Sequence, residues 1–377
     1  MPRVIPKIYR SKGDSFLKSI QWYVEARERY ERLTQHVEKQ LKELLKTHDI
    51  PYVLLTARTK SLDSFRAKVQ RKRYANPTKQ VTDISGARIV VYVESDVHRV
   101  GKLLKSEFRV HPQRSPDKGE ELGIDKVGYR SKHFVCDLGD RIAISEDLRD
   151  YAGLLFEIQV RSILQHAWAE IAWGPYKLSG MLPTHIEREL NLCAGRLESV
   201  DRDFTRIVKA LHRYGSKVIA AIDSEHDDLI SINSVSVEYF FKARQEKYKE
   251  LVAMGIEEIK WWYPWVMTDV ISELLVFGLK TIRELDALLT QAFMVAFSKF
   301  VKSCDYASLL RNAMMYHDIK YYFDTAWSRH WHRLNPREFA FLSSKYGEAV
   351  VWNVCEKHRL NVGEEDWSDF VGFGIGI

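Results

Sequence analysis

The 377-residue chain has few cysteines, no long apolar run and no apolar segment near its N-terminus. Its four cysteines are widely spaced and form no CxxC pair, which argues against a disulfide framework and favours a reducing compartment. The first residues lack the apolar core of a signal peptide. The most apolar stretch, residues 261–279, contains Pro264, Asp269 and Glu273, so it is predicted to be a buried helix rather than a membrane span. The sequence therefore predicts a cytoplasmic protein without a membrane partner.

The composition provides enough apolar material for folded cores. Hydrophobic residues make up 45% of the chain and aromatic residues 12%, which excludes a disordered protein. A length of 377 residues suits two domains better than one. The net charge of +6 is a mild excess, which a solvated surface explains about as well as nucleic-acid binding does.

Hydrophobic periodicity predicts a mixture of helices and strands in roughly the first 200 residues, and therefore an α/β (α+β) domain. The predicted helices are residues 18–47, 61–73, 96–108 and 162–173, and the predicted strands are residues 87–93, 132–138 and 154–160. Residues 111–128 are polar and contain Pro and Gly, so they are predicted to form a loop.

The pattern changes in the second half of the chain. Residues 223–228 are acidic and are a candidate linker. From Asn233 onward the period is helical, and seven of the ten tryptophans lie there. We therefore predict one domain over residues 1–210 and a mainly helical domain over residues 215–377.

The first candidate site segment is basic and carries a hydroxyl group. Ser64 and Lys68 are four residues apart and share one helix face, with Arg58 and Lys60 just upstream. Such a face near a helix N-terminus suits a polyphosphate. A basic, solvated helix capped by Ser61 is the alternative.

Two further segments carry a carboxylate and an aromatic ring. Asp83 precedes a predicted strand, Gly86 permits close backbone approach, and Arg88 could stack on a base or bind a phosphate. Tyr129, after Gly128, offers a flat face for a purine. A turn-closing Asp paired with its Arg, and a strand-edge Tyr, are the structural alternatives.

The fourth segment alternates along a predicted strand. Glu157, Gln159 and Arg161 share one face, and the apolar residues between them share the other. Three polar groups on a buried strand need partners, which an active site supplies. An edge strand with a solvated face is the alternative.

Taken in this order, the four segments closely resemble the synthetase domain of the RelA/SpoT family over about residues 20–200. Arg58, Lys60, Ser64 and Lys68 match the family pattern RxKxxxSxxxK, and Asp83, Gly86 and Arg88 match DxxGxRI. Gly128, Tyr129, Ser131 and His133 match GYxSxH, and Glu157, Gln159 and Arg161 match ExQxR. The helix that follows, residues 165–170 (QHAWAE), is also similar to the family.

The resemblance implies a nucleotidyltransferase-like mixed β-sheet flanked by helices, and transfer of the β,γ-diphosphate of ATP to a ribose 3′-hydroxyl. It implies a Mg²⁺ ion held by Asp83 and Glu157, with Glu157 also the base for the hydroxyl. The remaining implied roles are adenine stacking by Arg58 and Arg88, phosphate binding by Lys60, Ser64 and Lys68, and acceptor binding by Tyr129, His133, Gln159 and Arg161.

The acceptor is open between two classes. Alarmone synthetases often have a lysine four residues before the stacking tyrosine, where this chain has Asp125, and often read AWAEIEH, where this chain has Ala172 and Trp173. A carboxylate at that place would repel acceptor phosphates. We therefore favour the 3′ end of tRNA, the acceptor of toxic small synthetases, over a guanosine or adenosine nucleotide. A binding protein with an inactive synthetase fold is the third hypothesis, which the complete set of charged residues disfavours.

The second domain carries no recognised catalytic pattern. The overall layout is similar to fused toxin–antitoxin synthetases of the CapRel type, which act in phage defence, and this implies an inhibitory domain released by a phage protein. The histidines and cysteines of this half could bind zinc, but their spacing fits no standard zinc finger. Those residues are Cys304, His317, His330, His332, Cys355 and His358. The aromatic stretches of residues 316–323 and 327–332 could plug a nucleotide site, and packing of an aromatic core is the alternative for them.

Overall fold

In the computed structural model the chain divides into two compact units, Met1–Val208 and Lys209–Ile377. The structure describes residues 7–115, 131–140, 146–174, 182–244, 249, 251, 258–260 and 264–363. No helix within these ranges is long and apolar enough to cross a membrane.

The N-terminal unit is a mixed sheet flanked by helices. Its helices are α1 (Lys7–Thr47), α2 (Leu62–Lys72), α3 (Pro77–Gln80), α4 (Glu94–Glu107), α5 (Ile163–Trp173) and α6 (Thr184–Asp223), the last of which contains the unit boundary. Its strands are β1 (Tyr52–Thr59), β2 (Ser85–Val91), β3 (Arg109–Val110), β4 (Lys132–Asp137) and β5 (Phe156–Ser162). The predicted α/β class of this half is confirmed.

The five strands lie in the order β1-β2-β5-β4-β3. The β2–β5 pair is parallel, and the other pairs are antiparallel. Since β5 lies in the middle of the sheet, the alternative that it is an edge strand is wrong. Its apolar residues Phe156, Ile158 and Val160 are fully buried, while its other face carries the polar residues described below.

Helix α1 supplies much of the core of this unit. Tyr23, Leu33 and Leu41 recur on one face and are fully buried, and the helix packs against β1 and β2. The helix begins at Lys7, about three turns before the predicted residue 18. Strand β1 was not predicted at all, because only Leu55 of its eight residues is buried and an edge strand of this kind has no clear alternation.

The C-terminal unit is mainly helical, as predicted. Its helices are α7 (Ser234–Ala243), α8 (Pro264–Val276), α9 (Ile282–Leu288), α10 (Gln291–Phe300), α11 (Tyr306–His317), α12 (Ile319–Tyr321), α13 (Pro336–Tyr346) and α14 (Glu348–His358), with a π-helical turn at Tyr322–Ala326. Two short parallel ladders pair β6 (Glu258–Lys260) with β7 (Ser303–Asp305) and β8 (Arg333–Leu334) with β9 (Asn361–Val362).

Two predictions for this half are answered by the structure. The apolar stretch predicted as a buried helix contains α8, in which Val270 and Leu274 are fully buried. The acidic segment predicted as a linker is attached to α9, because Arg283 of that helix forms ion pairs of 3.0 Å with both Asp227 and Asp228. Within the described ranges, no three His, Cys, Asp or Glu side chains are grouped to hold a metal ion.

Candidate active site

The register of the sheet places polar residues of three strands side by side. Arg58 on β1 lies opposite Gly86 on β2, and Gly86 lies opposite Glu157 on β5. Two residues along, Arg88 lies opposite Gln159. Residues two apart on a strand share a face, so all of these side chains belong to one face of the sheet. Gly86 lines the cleft between Arg58 and Glu157. A Cβ at this position would lie 3.9 Å from the carbonyl oxygens of both residues, so the glycine leaves the surface between them free of a side chain.

A cleft of about 300 Å³ opens on this face. Its lining residues are Thr56, Arg58, Thr59, Lys60, Ser61, Ser64, Asp83, Gly86, Ala87, Arg88, Glu157 and Gln159. Seven of the eleven residues that the sequence singled out are among them. The first segment was expected to start at a helix N-terminus, but Arg58 lies on β1 and reaches the cleft from the strand.

Asp83 lies between two lysines at the cleft. Its Oδ2 is 3.0 Å from Nζ of Lys60, and its Oδ1 is 2.8 Å from Nζ of Lys68. Burial by itself would raise the pKa of Asp83, but the two ammonium groups outweigh it and hold the pKa below its usual value. Asp83 is therefore ionised at neutral pH, and it brings Lys68 to the site although Lys68 does not line the cleft.

The backbone around Lys60 and Ser64 is held by three contacts. The Tyr23 hydroxyl donates to the carbonyl of Lys60, and the Lys60 amide donates to the carbonyl of Ile84 at 2.7 Å. Ser61 caps α2, since its side chain accepts a hydrogen bond from the Ser64 amide at 3.2 Å. The cap is the alternative that the sequence offered for this segment, and the cap and the cleft coexist.

Glu157 lies at the centre of a chain of polar contacts. Its Oε1 is 2.8 Å from Nδ1 of His133 and accepts a hydrogen bond from Gln159 at 3.1 Å. The other ring nitrogen of His133 is 2.6 Å from the Ser131 hydroxyl, and Arg161 donates to Gln159 at 3.1 Å. Burial would raise the pKa of Glu157, but its contacts with His133 and Gln159 lower it overall. The carboxylate is thus a charged acceptor fixed in one orientation.

Arg88 is held from the side by α5. Its guanidinium donates to Oε1 of Glu170 at 2.9 Å, and Nδ1 of His166 lies 3.5 Å from the same oxygen. The sequence had assigned no role to Glu170, although the QHAWAE segment that contains it was part of the resemblance. The pairing of α5 with β2 is a long-range contact that no local pattern indicates.

The structure thus brings ten of the predicted residues to one region. His133 reaches the site through Glu157, and Arg161 through Gln159. Tyr129, and Asp125 with it, lie outside the described residues, so their predicted acceptor roles stay predictions. Thr56 and Thr59 line the cleft without having been predicted, because the strand that carries them was not recognised.

Asp83→Asn should destabilise the N-terminal unit at neutral pH. The substitution leaves Lys60 and Lys68 facing each other without a counter-charge, at a cost of about 1–3 kcal/mol for a partly exposed group. Because the folded pKa of Asp83 is lowered, its contribution is present above the unfolded pKa and is lost as the pH falls through the folded one. Urea unfolding should show a gap between variant and parent at pH 7 that narrows as the pH falls below the ordinary pKa of a carboxyl group, about 4.

Asp63→Asn is the matched control, because Asp63 is 93% exposed and 3.7 Å from Arg66. It should change the unfolding free energy little at either pH. An Asp83→Asn gap that is independent of pH would contradict the assignment.

Comparisons with known proteins address the same region. Residues 57–179 match the family model described as the region found in RelA/SpoT proteins. No curated protein sequence matches the chain. A small alarmone synthetase 1 structure from Bacillus subtilis is 22% identical, with 51% of this chain and 98% of that one covered and a TM-score of 0.42. A GTP pyrophosphokinase family protein from Streptococcus pneumoniae is 24% identical, and the match covers 52% of this chain and 96% of that one with a TM-score of 0.43.

A structure of the Bacillus subtilis protein bound to its product pppGpp is also similar, with 22% identity and a TM-score of 0.43. The match covers 51% of this chain and 98% of that one. The matched range contains every residue that lines the cleft except Thr56. Residues 57–179 are therefore a region of the kind found in RelA/SpoT proteins.

Proposed function

We propose that the N-terminal unit transfers the β,γ-diphosphate of ATP to the ribose 3′-hydroxyl at the 3′ end of tRNA, and so acts as an inhibitor of translation. The observation that carries the reaction is the cleft, which is lined by Lys60, two arginines and two carboxylates, with Lys68 paired to one of these carboxylates, Asp83. Diphosphate transfer needs mainly positioning and charge neutralisation, which this set of side chains supplies.

The donor side follows from the charges of the cleft. Arg58 and Arg88 stand on neighbouring strands and would hold the adenine between their guanidinium planes. Lys60 and Lys68 would bind the phosphates, with the Ser64 hydroxyl beside them. Both lysines are paired with Asp83 in the nucleotide-free protein. ATP binding would exchange these ion pairs for lysine–phosphate pairs, and a cation bound with ATP would then supply the counter-charge of Asp83.

The carboxylates fit a hard divalent cation. Oxygen ligands from one or two carboxylates plus substrate phosphates are the usual Mg²⁺ site, and Asp83 and Glu157 line the same cleft. The charge of Asp83 raises the pKa of Glu157, although the net shift is downward, so the two groups are close enough to interact. RelA/SpoT-type synthetases generally use a divalent metal, and Mg²⁺ would neutralise the phosphate charge here.

The reaction is a displacement at phosphorus. The acceptor 3′-oxygen forms a bond to the β-phosphorus, the bond from that phosphorus to the α–β bridging oxygen breaks, and AMP leaves. Glu157 would take the hydroxyl proton, and His133 would hold the carboxylate in place through Nδ1. A glutamate with a lowered pKa is a weak base, so its role in charge neutralisation matters at least as much.

The preference for tRNA rests on charge. Asp125 occupies the place where alarmone synthetases often have a phosphate-binding lysine. On α2, beyond the residues at the cleft, Arg66 and Arg71 are exposed, followed by exposed Lys72 and Arg73. An exposed basic segment of this kind suits a nucleic-acid backbone.

The test offers several acceptors to one protein. The purified chain is incubated with γ-labelled ATP and Mg²⁺ in the presence of deacylated tRNA, GDP, GTP or ATP. Label on tRNA alone supports the proposal. Label on a nucleotide would make the protein an alarmone synthetase. Absence of label with every acceptor, in the full chain and in the Glu273→Ala chain discussed below, would favour a nucleotide-binding regulator.

We also propose that the C-terminal unit restrains the synthetase and releases it when a phage protein binds, as the CapRel-type layout implies. Support comes from its position beyond the RelA/SpoT region and from its own large core. A unit that folds around its own core can be destabilised separately, which gives the test argued in the Discussion.

A further inference from the structure

Helix α5 presents a carboxylate to one of the two arginines that line the cleft. Glu170 accepts a hydrogen bond at 2.9 Å from Nη1 of Arg88, which lies 82 residues earlier in the chain. The pair is at the surface, with 58% of the Glu170 side chain and 31% of the Arg88 side chain exposed. An ion pair of this kind contributes little to folding stability, so its main effect is on the orientation of the Arg88 guanidinium.

The two arginines of the cleft are held differently. Arg58 on β1 and Arg88 on β2 both line it. Among the residues that the structure describes, no side chain forms an ion pair or hydrogen bond with the Arg58 guanidinium, whereas the Arg88 guanidinium is bound by Glu170. The plane of Arg88 is therefore fixed before a nucleotide arrives, and the plane of Arg58 can adjust to it.

The geometry of a guanidinium group allows Arg88 to bind a carboxylate and a base at the same time. Its N–H donors point outward in the plane of the group, and an aromatic ring stacks on the face of that plane. The bond to Glu170 uses one edge and leaves the face open. It also occupies a donor that would otherwise bind a phosphate oxygen, since arginine forms strong charge-assisted hydrogen bonds with phosphates. Glu170 thus directs Arg88 towards stacking.

The histidine one turn earlier on α5 does not compete with Arg88 for the carboxylate. Nδ1 of His166 lies 3.5 Å from the same oxygen of Glu170. Burial lowers the pKa of His166, Glu170 opposes this shift, and the positive charges of Arg88 and Arg161 add to it, so that the net shift is downward. His166 is therefore uncharged at neutral pH, and Arg88 is the cation that Glu170 binds.

We infer that Glu170 is a positioning residue that directs Arg88 to the purine base of the donor nucleotide and away from its phosphates. The inference rests on the proposed function, in which Arg58 and Arg88 hold the adenine. Base and phosphates are then bound by separate sets of side chains, the arginines with Glu170 on one side and Lys60 with Lys68 on the other. Loss of Glu170 should weaken binding of the base and leave binding of the phosphates unchanged.

The test compares ATP with inorganic tripolyphosphate, which has the phosphates but no base, by calorimetric titration of the full chain with Mg²⁺ and no acceptor. Glu170→Ala should weaken ATP binding roughly three- to tenfold, the usual cost of ordering one long side chain, and leave tripolyphosphate binding at the parental level. Glu170→Gln keeps an acceptor oxygen and should lose less. Glu28→Ala is the matched control, because Glu28 pairs with Arg32 at 2.6 Å on α1 and does not line the cleft. It should bind both ligands as the parent does.

A second substitution shows whether Glu170 acts through Arg88. In an Arg88→Ala chain, Glu170→Ala should weaken ATP binding no further. All variants should unfold within about 2 °C of the parent, since an exposed pair contributes little stability. Equal weakening of ATP and tripolyphosphate by Glu170→Ala, or an undiminished preference for ATP, would overturn the inference and leave the proposed donor site standing. A parent chain that binds ATP no more tightly than tripolyphosphate would overturn both.

Discussion

Glu157→Gln is expected to abolish diphosphate transfer while leaving the protein folded. The substitution removes a negative charge from the cleft and with it both proposed functions, metal binding and proton acceptance. Loss of a positioned base costs about 10²- to 10⁴-fold, and loss of a metal ligand adds to that, so transfer should fall by roughly 10³-fold or more. The glutamine oxygen can still accept from His133 and Gln159, which are the contacts that orient the native side chain.

The measurement is label transfer from ATP to the preferred acceptor, with circular dichroism and thermal unfolding as checks on the fold. Asp140→Asn is the matched control, because Asp140 is a 96% exposed carboxylate that pairs with Arg109 away from the cleft. It should transfer at the parental rate. Transfer within tenfold of the parent by a folded Glu157→Gln protein would remove Glu157 from the mechanism.

A Mg²⁺ titration of the same variant separates the two roles of Glu157. If the carboxylate binds the metal, residual activity should need more Mg²⁺ than the parent requires. If it acts only as a base, the Mg²⁺ requirement should be unchanged and the loss should be confined to the rate. The lowered pKa of Glu157 leads us to expect the first result.

The alternation of β5 was enough to predict which of its side chains share a polar face. A period of two fixes which side chains share a face, and the structure has Glu157, Gln159 and Arg161 linked in a chain on that face. The same pattern could not show that β5 is central, because burial of the polar face depends on neighbours that arrive from elsewhere in the sequence. The position of β5 between β2 and β4 settles that point.

Long-range pairs were the main gap in what the sequence could predict. Asp83 was assigned to a metal and Lys60 and Lys68 to phosphates, but their direct pairing depends on how α2 packs beside β2. Arg58 was placed at a helix start because β1 is an edge strand with one buried residue. Family patterns locate such residues even where local periodicity misplaces the element that carries them.

For the C-terminal unit, the fold class could be predicted from the sequence but the central contacts could not. Helical period and aromatic content predicted its class, but nothing in the sequence indicated that Glu273 is its central polar group. Glu273 is fully buried, and it was noted only as a residue that prevents residues 261–279 from spanning a membrane. Its partners lie 38 to 55 residues further along the chain, a separation at which sequence periodicity carries no information.

Glu273→Ala is expected to destabilise the C-terminal unit strongly. The Glu273 carboxylate accepts hydrogen bonds from Nε of Arg311 at 2.8 Å, from the Tyr322 hydroxyl at 2.9 Å and from the Ser328 amide at 3.3 Å. These donors come from α11, the π-helical turn and the segment after it, so one carboxylate holds three parts of the unit to α8. Removing it leaves the Arg311 cation, 14% exposed, without its counter-charge.

Breaking a buried pair of this kind costs about 3–5 kcal/mol. For a unit of this size the midpoint of thermal unfolding should fall by about 10 °C. Glu273→Met combined with Arg311→Met should recover part of the loss, because no buried charge is then left unpaired. A double variant as unstable as Glu273→Ala would show that the hydrogen bonds of Tyr322 and Ser328, rather than the ion pair, carry the stability.

The same variant tests the proposed restraint in cells. If a folded C-terminal unit holds the synthetase inactive, partial unfolding of that unit should make growth inhibition stronger at equal protein levels, and Glu157→Gln in the same chain should abolish the inhibition. The Glu273→Met, Arg311→Met chain should inhibit less than Glu273→Ala, in proportion to its recovered stability. Growth inhibition that weakens as the C-terminal unit loses stability would contradict the restraint and assign that unit a supporting role in catalysis.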